Sequence, residues 1–181
     1  MKLFFFSMKG KLLISSPGLL TDMIFYKSII LIVNQTNEDI TGFILNRPSN
    51  LFMNKKIDSS KKIKIELNYG GPVSSYHYFL LKSEKKYPEI LNIYDNIYWG
   101  NNIEFLFNLI EKNKVDRNDF ILFQGYSGWG IDQLNDEIEN SFWIINNKKE
   151  NDIFNLIEKN SWNHLIKNLG DKYIPWSNSP D

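Results

Sequence analysis

Two arginines stand among 21 basic residues, and one of them, Arg47, closes an apolar run in Asn46-Arg47-Pro48. A guanidinium is a planar fork that grips a carboxylate, a phosphate or a pair of carbonyls, which the ammonium of lysine does not match. In a chain that chooses lysine 19 times, that choice asks for a reason. Pro48 has no N–H for a strand ladder and holds the residue before it extended, so the fork falls at a strand end. Two further glycine-rich breaks follow apolar runs, Gly70-Gly71-Pro72 and Gly125-Tyr126-Ser127-Gly128-Trp129-Gly130. Ligand sites in α/β sheets gather at strand ends. The expectation is one concave site formed by Asn46, Arg47, Pro48, Gly70, Gly71, Pro72, Tyr126, Ser127, Gly128 and Trp129, binding an anionic metabolite or the acidic segment of a protein partner. The competing account is that these turns pack on one another and that Arg47 clamps the protein's own carboxylate or loop carbonyls.

Catalytic readings are weaker. Ser127 lies in Gly-Tyr-Ser-Gly, where the second glycine follows the serine directly, unlike a nucleophile elbow. Neither His77 nor His164 is tied to it, and both read as packing or surface residues. The glycine stretch between a strand and a helix suits an anion at a helix N-terminus, yet it matches neither a dinucleotide fingerprint nor a P-loop. A hydrolase acting on a small anionic substrate is the alternative reading. With no cysteine, disulfides and thiolate chemistry are excluded, and two histidines make a zinc site uncommon; no cofactor and no metal are expected. Arg117, in Val115-Asp116-Arg117-Asn118, reads as a solvated turn residue.

Charge narrows the partners. The net charge is +0 and the isoelectric point about 6.7, and the lysines cluster in a loop rather than along a helix. Direct DNA binding as a transcriptional regulator is a second alternative, and a duplex reader needs a basic face that is lacking here. Any effect on transcription is expected through a protein partner. No apolar run approaches the roughly 20 residues of a membrane helix, and Met1–Phe6 ends too soon for a signal peptide, so a cytoplasmic protein is expected.

The elements that must hold these residues follow from periodicity. The runs Ile29–Val33 and Ile40–Leu45 flank a polar Asn-Glu-Asp turn and predict a hairpin of buried strands. Gly10–Gly18 predicts a first strand closed by a Pro-Gly turn, and Thr21–Lys27 a connector of about one helical turn. The lysine-rich stretch near 51–64 predicts an exposed loop or short helix. Strands are expected where Ile63, Ile65 and Leu67 alternate with polar residues, at Val73–Leu81, Ile90–Tyr94, Phe120–Gln124 and Phe142–Ile145. Asp95–Gly100 reads as a turn, and Asn101 with Glu104 as a capping box. Helices are expected after it, after Gly130 and over Trp162–Leu169, with a tail at 171–181 ordered where Tyr173, Ile174 and Trp176 find a surface. Residues 1–181 thus predict a single domain of the α/β (α+β) class, a mixed β-sheet with about three packed helices.

Taken in order, Gly10-Lys11-Leu12-Leu13-Ile14 with Pro17, Gly42-Phe43-Ile44-Leu45-Asn46-Arg47-Pro48, Gly70-Gly71-Pro72-Val73, Tyr98-Trp99-Gly100 and Gly125–Gly130 with Gln133-Leu134 resemble the AlgH/YqgE family. The resemblance spans nearly the whole chain. It implies an α/β fold peculiar to that bacterial cytoplasmic family, a label as transcriptional regulator, and no catalytic residues to carry over. The chain departs from it at Lys82, where relatives often have His. The reading that joins the residues and the resemblance is a non-catalytic binding or regulatory module.

Overall fold

The computed structural model describes residues 7–19, 22–56, 62–146 and 153–177. The Met1–Phe6 run, the connector's start at Thr21, the middle of the lysine-rich stretch and residues 178–181 lie outside them. The two apolar runs form β2 (Ile29–Gln35) and β3 (Asp39–Ile44), antiparallel with Ile30 opposite Ile44. Their turn is closed by the Thr36 hydroxyl, which accepts the N–H groups of Glu38 and Asp39 at 3.2 and 2.9 Å. On the far side of β2 lie β1 (Leu12–Ser15) and then β10 (Trp143–Asn146), both antiparallel.

The hub is β9 (Phe120–Gly130), the longest strand at 11 residues. One flank carries β6 (Val73–Lys82), followed outward by β8 (Ile97–Gly100) and β7 (Leu91–Tyr94). The other flank is shared: β3 lies beside its second half and β5 (Lys62–Tyr69) runs parallel to its first half, with β4 (Pro48–Lys56) beyond β5. Among the described residues ten strands make one curled sheet, and β5 runs parallel to β9, which makes it mixed.

Helices cover the sheet at three places. Against α1 (Ile103–Glu111) pack Ile65, Leu67, Phe79 and Leu122. Under α2 (Ile131–Glu139) lie Ile32, Ile44, Trp129 and Trp143, and both indole N–H groups donate to the Glu137 carboxylate at 2.9 and 2.7 Å. Below α3 (Ser161–Asn168) are Phe43 and Phe123, and the indole of Trp162, on α3 itself, donates to the Ser15 carbonyl at 2.9 Å. A short α4 (Ile174–Ser177) ends the described chain.

Four local expectations are corrected. The stretch near 51–64 is neither loop nor helix where described: β4 and the start of β5 form a hairpin. Met53, Ile63 and Ile65 pack toward α1, while Lys55 bonds Glu104 at 2.7 Å and lies over the Phe107 ring, so lysine stems hide an alternating pattern. Ile97–Gly100 is strand rather than turn, because β6 and β7 both pair with it. The cap of α1 is Asn102, accepting the Phe105 N–H at 3.1 Å, and not Asn101. In the tail only Tyr173 packs on the core; Ile174 and Trp176 stay about 40% exposed.

Candidate functional site

The three glycine and proline breaks do meet. β5 runs beside β9 up to the pair Tyr69 and Gln124, and β3 takes over from Ser127 opposite Gly42. Gly70 stands at that handover. Its N–H donates to the Gln124 carbonyl at 2.9 Å, and its carbonyl accepts from the Ile44 N–H at 3.0 Å and the Ser127 hydroxyl at 3.2 Å. The Tyr69 N–H donates to the Arg47 carbonyl at 2.8 Å. Two glycines here are required by backbone conformation as well as by space. Gly71 has φ +148° and a Cβ would lie 2.3 Å from the Tyr126 carbonyl carbon; Gly125 has φ +71° and a Cβ would lie 2.4 Å from the Gly71 oxygen.

Among the described residues the side chains complete a packed joint. Asn46, 7% exposed, accepts the Ile29 N–H at 2.9 Å and donates to the Lys27 carbonyl at 2.8 Å. Arg47 is half-buried, and its terminal nitrogens reach the carbonyls of Met23 (3.4 Å), Ile24 and Tyr26 (2.7 Å) and the Ser28 hydroxyl (3.5 Å). Burial pulls the guanidinium below its ordinary pKa, opposed by Tyr69 and Asp22. Its fork therefore straps residues 23–28 to the end of β3. Pro48 and Pro72 are exposed at the rims.

The glycine stretch 125–130 is strand, not the loop its composition suggests, since β3 supplies a partner for Ser127–Gly130. α2 starts only at Ile131, whose N–H donates to the Glu38 carbonyl at 3.0 Å. Strand alternation then divides the predicted site residues. Ser127 and Trp129 point inward, 0% and 3% exposed. The ring of Tyr126 borders Gly128 on the opposite face. There Asp39, Thr41, Val73, Tyr126, Gly128 and Gly130 line an open groove of about 360 Å³, with Ile40 and the nearly buried Trp129 also in its lining. Asp39, Thr41, Val73 and Gly130 had no place in the sequence-derived site. The signal for them is the same period of two, which places Gly130 with Gly128 once 125–130 is taken as a strand.

Chemically, the joint offers no free nucleophile: the Ser127 hydroxyl is enclosed and donating to a carbonyl, and His77 sits in β6 opposite Gln124. His164 is exposed on α3. Among the described residues no cluster of His, Asp or Glu is arranged to hold a metal ion.

A ten-stranded, curled α+β sheet pinned by one long shared strand defines the class of protein. A family model described as AlgH-like matches residues 12–174. A UPF0301 protein of Cytophaga hutchinsonii is 33% identical over 174 residues, covering 95% of both chains. One from Bacteroides fragilis is 34% identical over 173 residues, covering 95% of this chain and 88% of its own. The solution structure of the AlgH protein from Pseudomonas aeruginosa superposes with a TM-score of 0.74 at 19% identity, over 100% of this chain and 98% of that one. A crystal structure from Corynebacterium diphtheriae gives 0.70 at 17%, over 94% and 91%. The chain belongs to the AlgH-like family, and the two solved structures share its fold.

Proposed function

We propose that the chain is a non-catalytic binding module that holds an extended segment of a protein partner along the groove between β3, β9 and the start of β6. The observation that carries this reading is the groove's floor: Gly128 and Gly130 put no side chain in the way of an approaching backbone, and Tyr126 and Val73 give an apolar wall. A second feature favours an extended occupant. β8 pairs with β6 only from Phe79 to Lys82, so Ser74–Tyr78 runs on without a strand on that side among the described residues. Tyr76, within this overhang, is 76% exposed. Strand addition would satisfy that backbone on the side of β6 away from β9, and an occupant continuing past Val73 would reach the groove.

Of the two occupants expected from the sequence, the protein segment is better supported than a small anion. The guanidinium of Arg47 faces carbonyls, and the groove is lined by one carboxylate and no cation. An influence on transcription would run through such a partner. The test is selection from a random peptide library on the immobilised protein, followed by titration with Gly128→Leu, which fills the floor, and by amide chemical-shift mapping. Selected peptides should shift Thr41, Val73, Tyr126 and Gly130 and lose affinity for the variant at least about tenfold, or roughly 1.4 kcal/mol. Failure to select any peptide, or binding indifferent to Gly128→Leu in a folded variant, sinks the reading.

A further inference from the structure

The second arginine opens onto a different groove, of about 460 Å³, where the start of β9 faces the 3-10 turn Ile153–Ile157. Arg117 is presented by a rigid turn: the Asp116 N–H donates to the Asp119 carboxylate at 2.7 Å, and the Asp119 N–H to the Asp116 carbonyl at 3.1 Å. The guanidinium donates once to protein, to the Phe120 carbonyl at 3.3 Å, and lies 5.2 Å from the centre of the Phe120 ring. It has no carboxylate partner among the described residues, which leaves most of its five N–H donors available. Glu158 lines the same groove without an ion pair of its own among those residues. Asn68, Asn118 and Asn155 add amides, and Phe154 and Ile157 add apolar surface.

We propose that this groove binds a free α-amino acid with an apolar side chain, its carboxylate on Arg117, its ammonium on Glu158 and its side chain against Phe154 and Ile157. Opposite charges in one cleft match a zwitterion, and the volume lies in the range of small-ligand sites. A phosphate is disfavoured, because among the described residues the one other charged side chain lining the groove is the Glu158 carboxylate, while a phosphate carries close to two negative charges. An arginine fork on a carboxylate is bidentate and charge-assisted, so it discriminates against an amide. This inference does not rest on the peptide-binding reading, since the two grooves share no residue.

The test is calorimetric titration and thermal shift of the full chain with leucine, phenylalanine and methionine at millimolar concentration. Leucinamide, which lacks the carboxylate, and N-acetylleucine, which lacks the ammonium, serve as controls. Expected are saturable heat and a raised Tm with at least one amino acid, and affinity lower by about tenfold or more for both derivatives and for Arg117→Gln and Glu158→Gln. Both variants alter exposed side chains and should melt like the wild type. Gly128→Leu should bind the amino acid unchanged. The proposal is overturned if no amino acid binds, if N-acetylleucine binds as well as leucine, or if affinity survives Arg117→Gln.

Discussion

The joint at Arg47 and the groove at Arg117 use the same side chain to opposite ends. At the joint, residues 23–28 turn several carbonyls toward one point, and a lone guanidinium answers Met23, Ile24 and Tyr26 together. At the groove, a capped turn offers Arg117 one carbonyl and an aromatic face, and its remaining donors look outward. The lesson is that a guanidinium's role is set by the number of acceptors the fold brings to it. Residue type alone marks both positions and separates neither.

The largest expected effect tests the joint's backbone. Gly71→Val places a β-branched residue at φ +148° and drives its Cβ into Tyr126, so it should cost about 3 kcal/mol or more in urea unfolding. Unfolding of the wild type, followed by both tryptophan fluorescence and far-UV circular dichroism, should be one transition. Next comes Arg47→Ala, which leaves the carbonyls of residues 23–26 without their donor and should cost about 2 kcal/mol; Arg47→Lys should recover less than half of that, because a point charge cannot span the fork. Melting unchanged in both would erase the contrast with Arg117. Arg117→Ala should change stability by only about 0.5 kcal/mol, and a loss as large as that of Arg47→Ala would make both arginines structural. The smallest effect is set by Lys55 and Glu104, exposed by 29% and 71%: removing Lys55 should cost roughly 0.5 kcal/mol or less, falling further in high salt.

Legibility followed the range of the interactions. The β2–β3 hairpin was readable nearly to the residue, because two apolar runs and a polar turn are local signals. The stop at Asn46-Arg47-Pro48 was equally plain. A clamp of Arg47 on loop carbonyls was one of two accounts the sequence allowed; which carbonyls was hidden, since they lie more than twenty residues upstream in a connector whose carbonyls leave no mark in side-chain type. The stretch 125–130 misled for the opposite reason. Its glycines look like a loop, yet Gly125 is needed where β9 changes neighbours, and that need exists only once β3 and β5 both lie against it. The groove at Arg117 draws on Asn68, the 116–120 turn and Phe154, three segments that no window of sequence joins.

The shared strand also dictates an order of events on the ribosome. β3 and β5 are both synthesised well before Phe120–Gly130, and Leu67 must wait for Leu122 as Gly42 waits for Ser127. Until β9 leaves the exit tunnel, the emerging chain holds two strands with unpaired edges, a state that invites pairing between chains. Contacts of such sequence separation slow folding. The last third of the chain therefore carries the step that commits the rest, and a chain broken off before residue 120 is expected to aggregate rather than to persist as a smaller folded unit.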